Sequence, residues 1–211
     1  VKVRGNGQGA PPRGAPNSLV KMPMDTALHK AAKDGDIDGI KDCLADKIGI
    51  NEQGAQGRTA LHRALGGGFD EASAFLIENG ADPMVSDSLK RTSLHWAVMG
   101  PPPGNIKCCQ LLFDKADGVA MLSKKTKSGS TPLHSAAVTN RSGVIPLLLE
   151  KGADQKAEDD DGLTAYDQAK AEGHTEVLAL LAVNKGSGSG GASGGGGGGG
   201  DSGGGGCCIL Q

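Results

Sequence analysis

Apolar residues recur at helical spacing in short segments along the centre of the chain. Ala31 and Ala32 follow Leu28 at three and four positions, which places all three on one face of a helix. The segments 71–79 and 144–151 also carry Leu and Ile on one face. The pattern predicts pairs of short helices. No apolar run approaches the roughly 18 residues that a membrane-spanning helix requires.

A tetrapeptide that begins with Thr and ends with His occurs four times, and a degenerate fifth copy follows. The copies occupy residues 26–29, 59–62, 92–95, 131–134 and 164–167. Their threonines are 33, 33, 39 and 33 residues apart. Three independent spacings of the same length indicate an internal repeat.

Each copy is followed by a second landmark. Gly80-Ala-Asp and Gly152-Ala-Asp lie at one offset from their threonines, and Gly35 and Gly173 lie at an earlier one. Motif, period and order resemble the ankyrin repeat, T-P-L-H-x-A-A, then a G-H turn, then L-L-L-x-x-G-A-D. The resemblance covers residues 24–184. It implies an all-α solenoid of five helix-turn-helix repeats with short β-hairpin loops, the repeats starting near residues 26, 59, 92, 131 and 164.

Elementary physical chemistry agrees with this interpretation. A Thr hydroxyl suits a helix N-cap, and Gly permits a left-handed turn after a helix. One such unit cannot bury its own apolar face, so about three stacked repeats are needed for stability. The five copies therefore suffice, and we expect a monomer.

The third repeat is six residues longer than its neighbours. By its landmarks, about three extra residues lie in 100–105 and about three near 118–124. Pro101, Pro102 and Pro103 fall in the first insertion, and proline cannot continue a helix. We expect them to form a stiff, protruding loop. Pro146 is placed in the first turn of a helix, where a missing N–H is tolerated.

Composition limits the classes of function. Aromatic residues make up 2% of the chain and its net charge is -2, so a basic surface for nucleic acid is not expected. Five cysteines, an odd number, and the lack of a secretory signal favour a reducing cytosol over a disulfide framework. Because the sequence does not begin with Met, it is interpreted as a fragment, a processed product or an engineered piece, and whether a further domain precedes it is left open.

The histidines and central cysteines are the residues that could bind a metal or act in catalysis. The five histidines are His29, His62, His95, His134 and His174. In ankyrin repeats such residues brace neighbouring units, and the alternative of a metal or acid–base site lacks a complete ligand set. The cysteines Cys43, Cys108 and Cys109 fall at apolar positions of second helices. The chain is therefore predicted not to be an enzyme and to hold no cofactor.

Candidate partner contacts come from exposed chemistry around the third repeat. Lys124, Lys125 and Lys127 cluster before the fourth repeat, and 159–161 is a run of Asp before the fifth. They are either solvated loop tips or a partner surface. Ankyrin proteins bind through loop tips and the concave face of their first helices, so Trp96 is a candidate anchor, with a place in the core as the alternative. The predicted contact set is Trp96, Pro101, Pro102, Pro103, Lys124, Lys125 and Lys127.

The two ends differ from the repeats. Residues 1–23 are predicted to be a disordered leader and 185–206 a flexible Gly/Ser linker. The end, 207–211, carries Cys208-Ile-Leu-Gln211, which resembles a C-a-a-X signal read by a prenyltransferase. A terminal Gln favours farnesyl. In the resembling proteins the last three residues are then removed and the cysteine is methylated.

One lipid chain gives only marginal membrane binding, and the linker has no polybasic run. Cys207 is therefore the candidate second signal, by S-palmitoylation. Prenylation of both cysteines, as in some small GTPases, is the rival interpretation.

These features predict a cytoplasmic, non-catalytic scaffold or adaptor that binds a protein partner. Its lipid would hold it on the cytosolic face of a membrane. One alternative is the targeting module of a longer enzyme or ubiquitin-ligase adaptor. Another is a soluble ankyrin-type inhibitor, whose activity would not require Cys208.

Overall fold

The structure is a computed structural model that describes residues 24–102 and 105–184. The predicted leader, the linker, the C-terminal signal and Pro103 lie outside the described residues. Among the described helices, none combines the length and the apolar character needed to span a bilayer.

The described part of the chain forms eleven α-helices and two short 3₁₀ turns. The helices are α1 Ala27–Asp34, α2 Ile37–Ala45, α3 Ala60–Gly67, α4 Asp70–Glu78, α5 Ser93–Val98, α6 Ile106–Lys115, α7 Gly118–Met121, α8 Pro132–Val138, α9 Ile145–Glu150, α10 Ala165–Glu172 and α11 Thr175–Asn184. They form five helix-turn-helix pairs, with α7 as an addition to the third. The prediction of five repeats is confirmed.

The threonine of each tetrapeptide starts the first helix of its repeat. In all five copies the Thr is the N-cap, and its backbone N–H donates to the side chain at the third helical position. That acceptor is a His Nδ1 in four repeats and the Asp167 carboxylate in the fifth. This is the reciprocal half of a capping box, and it explains why the tetrapeptide marks every repeat.

A left-handed residue ends most of the first helices. Gly35, Gly68 and Gly173 have φ of 72°, 83° and 74°, and Asn140 takes the same position with φ of 54°. Gly and Asn adopt this conformation with the least strain. In the repeats with Gly35, Gly68 and Gly173 the second helix begins two residues after the glycine, so the repeat folds back on itself.

In the third repeat this left-handed position is occupied by Pro101, whose ring cannot adopt a positive φ. The chain takes a longer path, and Asn105 caps α6 by accepting the backbone N–H of Cys108 at 3.3 Å. Asn105 lies thirteen residues after Thr92, whereas the corresponding cap Asp36 lies ten after Thr26. The remaining three extra residues are taken up around α7, whose Met121 is fully buried.

Five-residue turns connect consecutive repeats. In the turns 54–58, 87–91, 126–130 and 159–163, the first N–H donates to the last carbonyl at 2.8–3.0 Å. The predicted β-hairpins are wrong in this detail. The described residues hold one isolated bridge, between Glu158 and Thr164, and no β-strand. The reason is that each turn leads directly into an N-cap threonine, which leaves no residues for a ladder.

The tips of these turns are joined to one another by backbone hydrogen bonds. Ser88 N–H donates to Gln56 O at 2.9 Å, Lys127 N–H to Leu89 O at 2.9 Å, and Asp160 N–H to Ser128 O at 3.2 Å. Four turns from successive repeats therefore form one continuous row along the stack.

The core runs along the stack rather than within any one repeat. The third tetrapeptide residue is buried in four copies, as Leu28, Leu61, Leu94 and Leu133. Successive first helices pack on one another, and so do second helices. Leu, Ile and Ala supply most of the interior, as the scarcity of aromatic residues predicts.

Lys90 has an unfavourable backbone conformation that predicts a stabilising substitution. Its φ is 59°, at the turn position that Gly57, Gly129 and Gly162 fill in the other repeats. The strain of a left-handed non-Gly residue exceeds the stability that Gly costs by its greater entropy in the unfolded chain, so Lys90→Gly should raise the free energy of unfolding by about 0.5–1 kcal/mol. Urea denaturation measures this. The control Lys156→Gly, at a residue outside the left-handed region, should lower stability, and a loss in both would contradict the assignment of strain.

Candidate partner-binding surface

Four of the five histidines bridge neighbouring repeats. His29 Nε2 lies 2.9 Å from Arg58 O, His95 Nε2 3.3 Å from Ser130 O, and His134 Nε2 3.1 Å from Leu163 O. His174 Nδ1 lies 2.9 Å from Ala137 O. In each pair a ring N–H donates to a carbonyl of another repeat. The bracing role predicted for these residues is confirmed.

His62 departs from this arrangement. It is buried like the others, but its Nε2 faces the backbone of Val85 without a hydrogen bond of good geometry. The nearest aromatic ring is that of Trp96, with centroids 6.4 Å apart. Burial lowers the pKa of His62 to about 4, so the ring is neutral at physiological pH.

The central cysteines fill the core. Cys43, Cys108 and Cys109 are all buried and free. Burial raises the pKa of Cys108 to about 11 and that of Cys109 to about 12. These thiols therefore stay protonated and lack the reactivity of a nucleophile.

Trp96 is held on the front face, which we define as the exposed side of the first helices together with the row of turns. The indole is half-buried and packs against the core. The guanidinium carbons of Arg58 and Arg91 each lie 4.3 Å from its ring centroid, a distance typical of cation–π stacking. A Cβ at Gly66 would come within 3.0 Å of the indole. Gly66 therefore leaves the room that the ring occupies.

Asp87, the first residue of the turn 87–91, accepts hydrogen bonds from several members of this cluster. Its Oδ2 accepts from Arg91 Nε at 2.8 Å and Trp96 Nε1 at 3.3 Å, and its Oδ1 accepts the backbone N–H groups of Leu89 and Arg91. The residue is 5% exposed. Burial alone would raise the pKa of Asp87, but the hydrogen bonds from Arg91 and Leu89 lower it below its usual value.

The arginines of the front face are not all balanced by carboxylates. Arg91 pairs with Asp87 at 2.8 Å and Arg63 with Asp25 at 2.6 Å. Arg58 bonds the amide oxygen of Gln56 and forms no ion pair with a carboxylate of the described residues. Burial, with the nearby charges of Arg63 and Arg91, lowers the pKa of Arg58. The Arg58 guanidinium is thus held by Trp96 and Gln56 rather than by a carboxylate.

An apolar groove of about 270 Å³ lies beside this cluster, between the third and fourth repeats. Leu89, Met99 and Val138 supply its apolar surface, and Leu89 and Val138 are 47% and 42% exposed. Arg91 and Lys127 border it. Large apolar side chains left exposed around a depression are typical of a binding surface.

The structure brings together some of the residues proposed from the sequence. Lys127 lines the groove, and Trp96 reaches it through Arg91, which contacts both. Pro101 lies beside Gly68 at the helix ends, and Pro102 is exposed in the same connection.

The two other lysines of the set lie outside the groove. Lys124 is exposed, and Lys125 Nζ donates to Glu158 O at 2.7 Å. Lys125 thereby ties the turn to the next repeat.

Sequence reasoning missed the arginines and the apolar residues of the groove. Arg58 and Arg91 each directly precede an N-cap threonine. A comparison of that position across the repeats would have found them, because the remaining copies have Asp25, Ser130 and Leu163 there. The exposure of Leu89 and Val138 depends on packing and has no signal in the sequence.

Comparison with known families identifies the fold. The family described as ankyrin repeats (3 copies) matches residues 28–121 and 94–189. The chain belongs to the ankyrin repeat family. Domains of this family are protein–protein interaction modules and are in general non-catalytic.

Curated relatives share the repeat and differ in architecture. The transient receptor potential cation channel subfamily A member 1 homolog of Caenorhabditis elegans is 31% identical over 165 residues, which are 78% of this chain and 13% of the channel. Probable 26S proteasome regulatory subunit p28 of Saccharomyces cerevisiae is 34% identical over 151 residues, 70% of this chain and 64% of that subunit. An ankyrin repeat protein of Rickettsia felis is 31% identical over 126 residues, 59% and 40% of the two chains. The chain therefore spans less than two thirds of each relative.

The Asp87 cluster predicts unequal effects at two equivalent turns. Asp159 also accepts two backbone N–H groups of its own turn, but only Asp87 also holds Arg91 and the Trp96 indole. Asp87→Ala should therefore cost about 2–3 kcal/mol, since the half-buried Arg91 guanidinium and the Trp96 indole N–H both lose their acceptor, whereas Asp159→Ala should cost about 1 kcal/mol. Urea denaturation compares the two variants. Equal losses would show that the turn bonds alone explain the role of Asp87.

The buried ring of His95 predicts a pH dependence of stability. Burial lowers the pKa of His95 to about 4 from an ordinary 6.5. The unfolded chain therefore takes up a proton between pH 6.5 and 4 that the folded chain does not, and stability falls as the pH drops through that window.

His95→Gln tests this assignment. A Gln carboxamide still accepts the Thr92 N–H in the capping box but does not titrate. The loss of unfolding free energy between pH 6.5 and 4 should shrink by about 3 kcal/mol relative to the unsubstituted chain. Urea denaturation at a series of pH values measures it, and an unchanged pH slope would contradict a buried, neutral His95.

Proposed function

We propose that this chain is a non-catalytic scaffold that binds a protein partner through its front face and is held at a cytosol-facing membrane by a prenyl group on Cys208. The single observation that supports the binding half is the apolar groove beside Trp96 and Arg58. The membrane half is supported by the C-a-a-X pattern of the sequence.

The front face has the chemistry of a protein contact. It combines exposed apolar side chains with arginines and a tryptophan, which are enriched where binding energy concentrates. Partner contact at Trp96 and Lys127 is therefore part of the proposal, and Pro101, Pro102 and Pro103 would extend the contact along the helix ends.

The family frame does not select the partner. The relatives above are named as a channel, a proteasome regulatory subunit and an ankyrin repeat protein, so similar repeats occur in unrelated settings. Function must be assigned from the side chains of this front face rather than from the frame.

The sequence of residues 185–211 supports the membrane tether. A glycine-rich segment gives a transferase access to Cys208, and a farnesyl chain supplies one membrane signal. A single chain binds membranes weakly and reversibly, so palmitoylation of Cys207 would provide the second signal. A module confined to a membrane surface meets its partners there at a higher effective concentration.

Substitution of the two cysteines tests the tether on a chain that ends at Gln211. In eukaryotic cells the intact mass should show a farnesyl group with loss of the last three residues. Cys208→Ser should abolish both the mass change and the membrane-bound fraction. Mass spectrometry and membrane fractionation measure these.

Cys207→Ser is the matched control. It should keep the prenyl mass on Cys208 and show a smaller membrane-bound fraction, because one lipid chain remains. An unmodified C-terminus in the unsubstituted chain would remove the membrane half of the proposal. Two prenyl groups on one chain would replace the palmitoyl signal with double prenylation.

A further inference from the structure

The boundary between the third and fourth repeats is packed less closely than the other boundaries. Among successive first helices, α5 and α8 contact each other least. The helix α5 has six residues, whereas α1, α3 and α10 have eight. On the other side of the stack, α6 contacts the 3₁₀ turn Ser142–Val144 more than it contacts α9 itself. The third and fourth repeats therefore share a smaller interface than other neighbours do.

Two depressions interrupt this interface. The apolar groove of about 270 Å³ separates Leu89 and Met99 from Val138 on the front face. A second depression, of about 390 Å³, lies between Val119 in α7 and Gly152 in the loop after α9. Side chains that border a gap lose part of their dispersion contacts and bury less apolar surface. The gaps therefore lower the free energy that holds the two repeats together.

The polar links across the same boundary are weak. The bridge from His95 to Ser130 O, at 3.3 Å, is the longest of the histidine-to-carbonyl bridges. Arg141 Nη2 lies 3.5 Å from a carbonyl of the third repeat. None of the ion pairs among the described residues joins the third repeat to the fourth. The row of turns crosses the boundary at its edge, where Lys127 N–H donates to Leu89 O.

The boundary between the second and third repeats has stronger links. Arg58 stacks on Trp96 there, and Lys107 Nζ lies 3.5 Å from an Asp70 carboxylate oxygen, which ties α6 to α4. These contacts accompany closer packing of α3 on α5. They compensate for the bridge that His62 does not make.

The fourth and fifth repeats are also firmly joined to each other. His134 Nε2 lies 3.1 Å from Leu163 O, and His174 Nδ1 lies 2.9 Å from Ala137 O. The helices α8 and α10 pack on each other more closely than α5 and α8 do. The least stable boundary therefore divides the stack into a group of three repeats and a group of two.

About three stacked repeats are needed for a stable fold, so the first group can stay folded alone and the second cannot. From this arrangement we infer that the stack opens between the third and fourth repeats, and that the last two repeats unfold together while the first three stay folded. Opening removes one wall of the groove, so it excludes any partner that spans the groove. The inference does not depend on the proposed function, because it concerns the free chain.

Native-state hydrogen exchange of the full chain, followed by mass spectrometry, tests this opening. The slowest amides of α8–α11 should exchange through one shared opening, at least about tenfold faster than the slowest amides of α1, α3 and α4. In urea, part of the helical circular-dichroism signal should be lost before the fluorescence of Trp96, the one tryptophan of the sequence, changes.

Two matched substitutions establish the order of unfolding. Ile40 in α2 and Ile145 in α9 are both fully buried, and replacement by Val is mild enough to keep the fold. Ile40→Val should speed exchange in α1–α6 about fivefold and leave α8–α11 unchanged, because Ile40 stays folded in the open state. Ile145→Val should speed exchange in both groups about fivefold, because residue 145 is unfolded in the open state and in the unfolded chain.

Three results would overturn the inference. The first is a single urea transition that circular dichroism and Trp96 fluorescence report together. The second is acceleration of α8–α11 by Ile40→Val as large as that by Ile145→Val. The third is protection of α8 and α9 equal to that of α5, with fast exchange confined to α10 and α11, which would show fraying of the last repeat alone.

Discussion

No pair of helices in this chain can bury its own apolar surface, and the rest of the structure follows from that constraint. Leu28, Leu61, Leu94 and Leu133 are covered only because each repeat stacks on the next. The histidine-to-carbonyl hydrogen bonds fix that stacking, since each one joins the start of one helix to the backbone of a neighbouring repeat. Burial lowers the pKa of His95 to about 4, so this ring is neutral in its bridge, and a charged ring in the interior would oppose folding. The turns add a second set of links through their backbone groups.

Because the capping threonines, the bridging histidines and the buried leucines fix the stacking of the repeats, the side chains of the front face can differ from one repeat to the next. The residue before each N-cap threonine does not contribute to the capping box, and it changes from Asp25 through Arg58 and Arg91 to Ser130. Because Arg58 and Arg91 stand one repeat apart, both reach Trp96 in the third repeat. The insertion that begins at Pro101 lies beside the same region. The distinctive chemistry of the chain is thus concentrated in its second to fourth repeats.

The sequence predicts the frame well because the frame is made of local signals. A capping threonine, a left-handed glycine and a fixed period each act over a few residues, so the number of repeats and their boundaries could be read directly. The turns form no β-strand among the described residues, because an N-cap threonine follows each turn directly. The groove was not predicted, because it depends on how Leu89 and Val138, from different repeats, meet in space. Likewise, the unpaired state of Arg58 is a result of where Asp87 and Asp25 find their partners.

The most direct test of a partner-binding front face is site-specific photocrosslinking of the full chain in cells. A photoreactive amino acid would replace Val138 in the groove or, as the matched position, Val119 outside it. The account predicts a discrete crosslink to another protein from position 138 alone. No crosslink from position 138, or equal crosslinking from both positions, would contradict it.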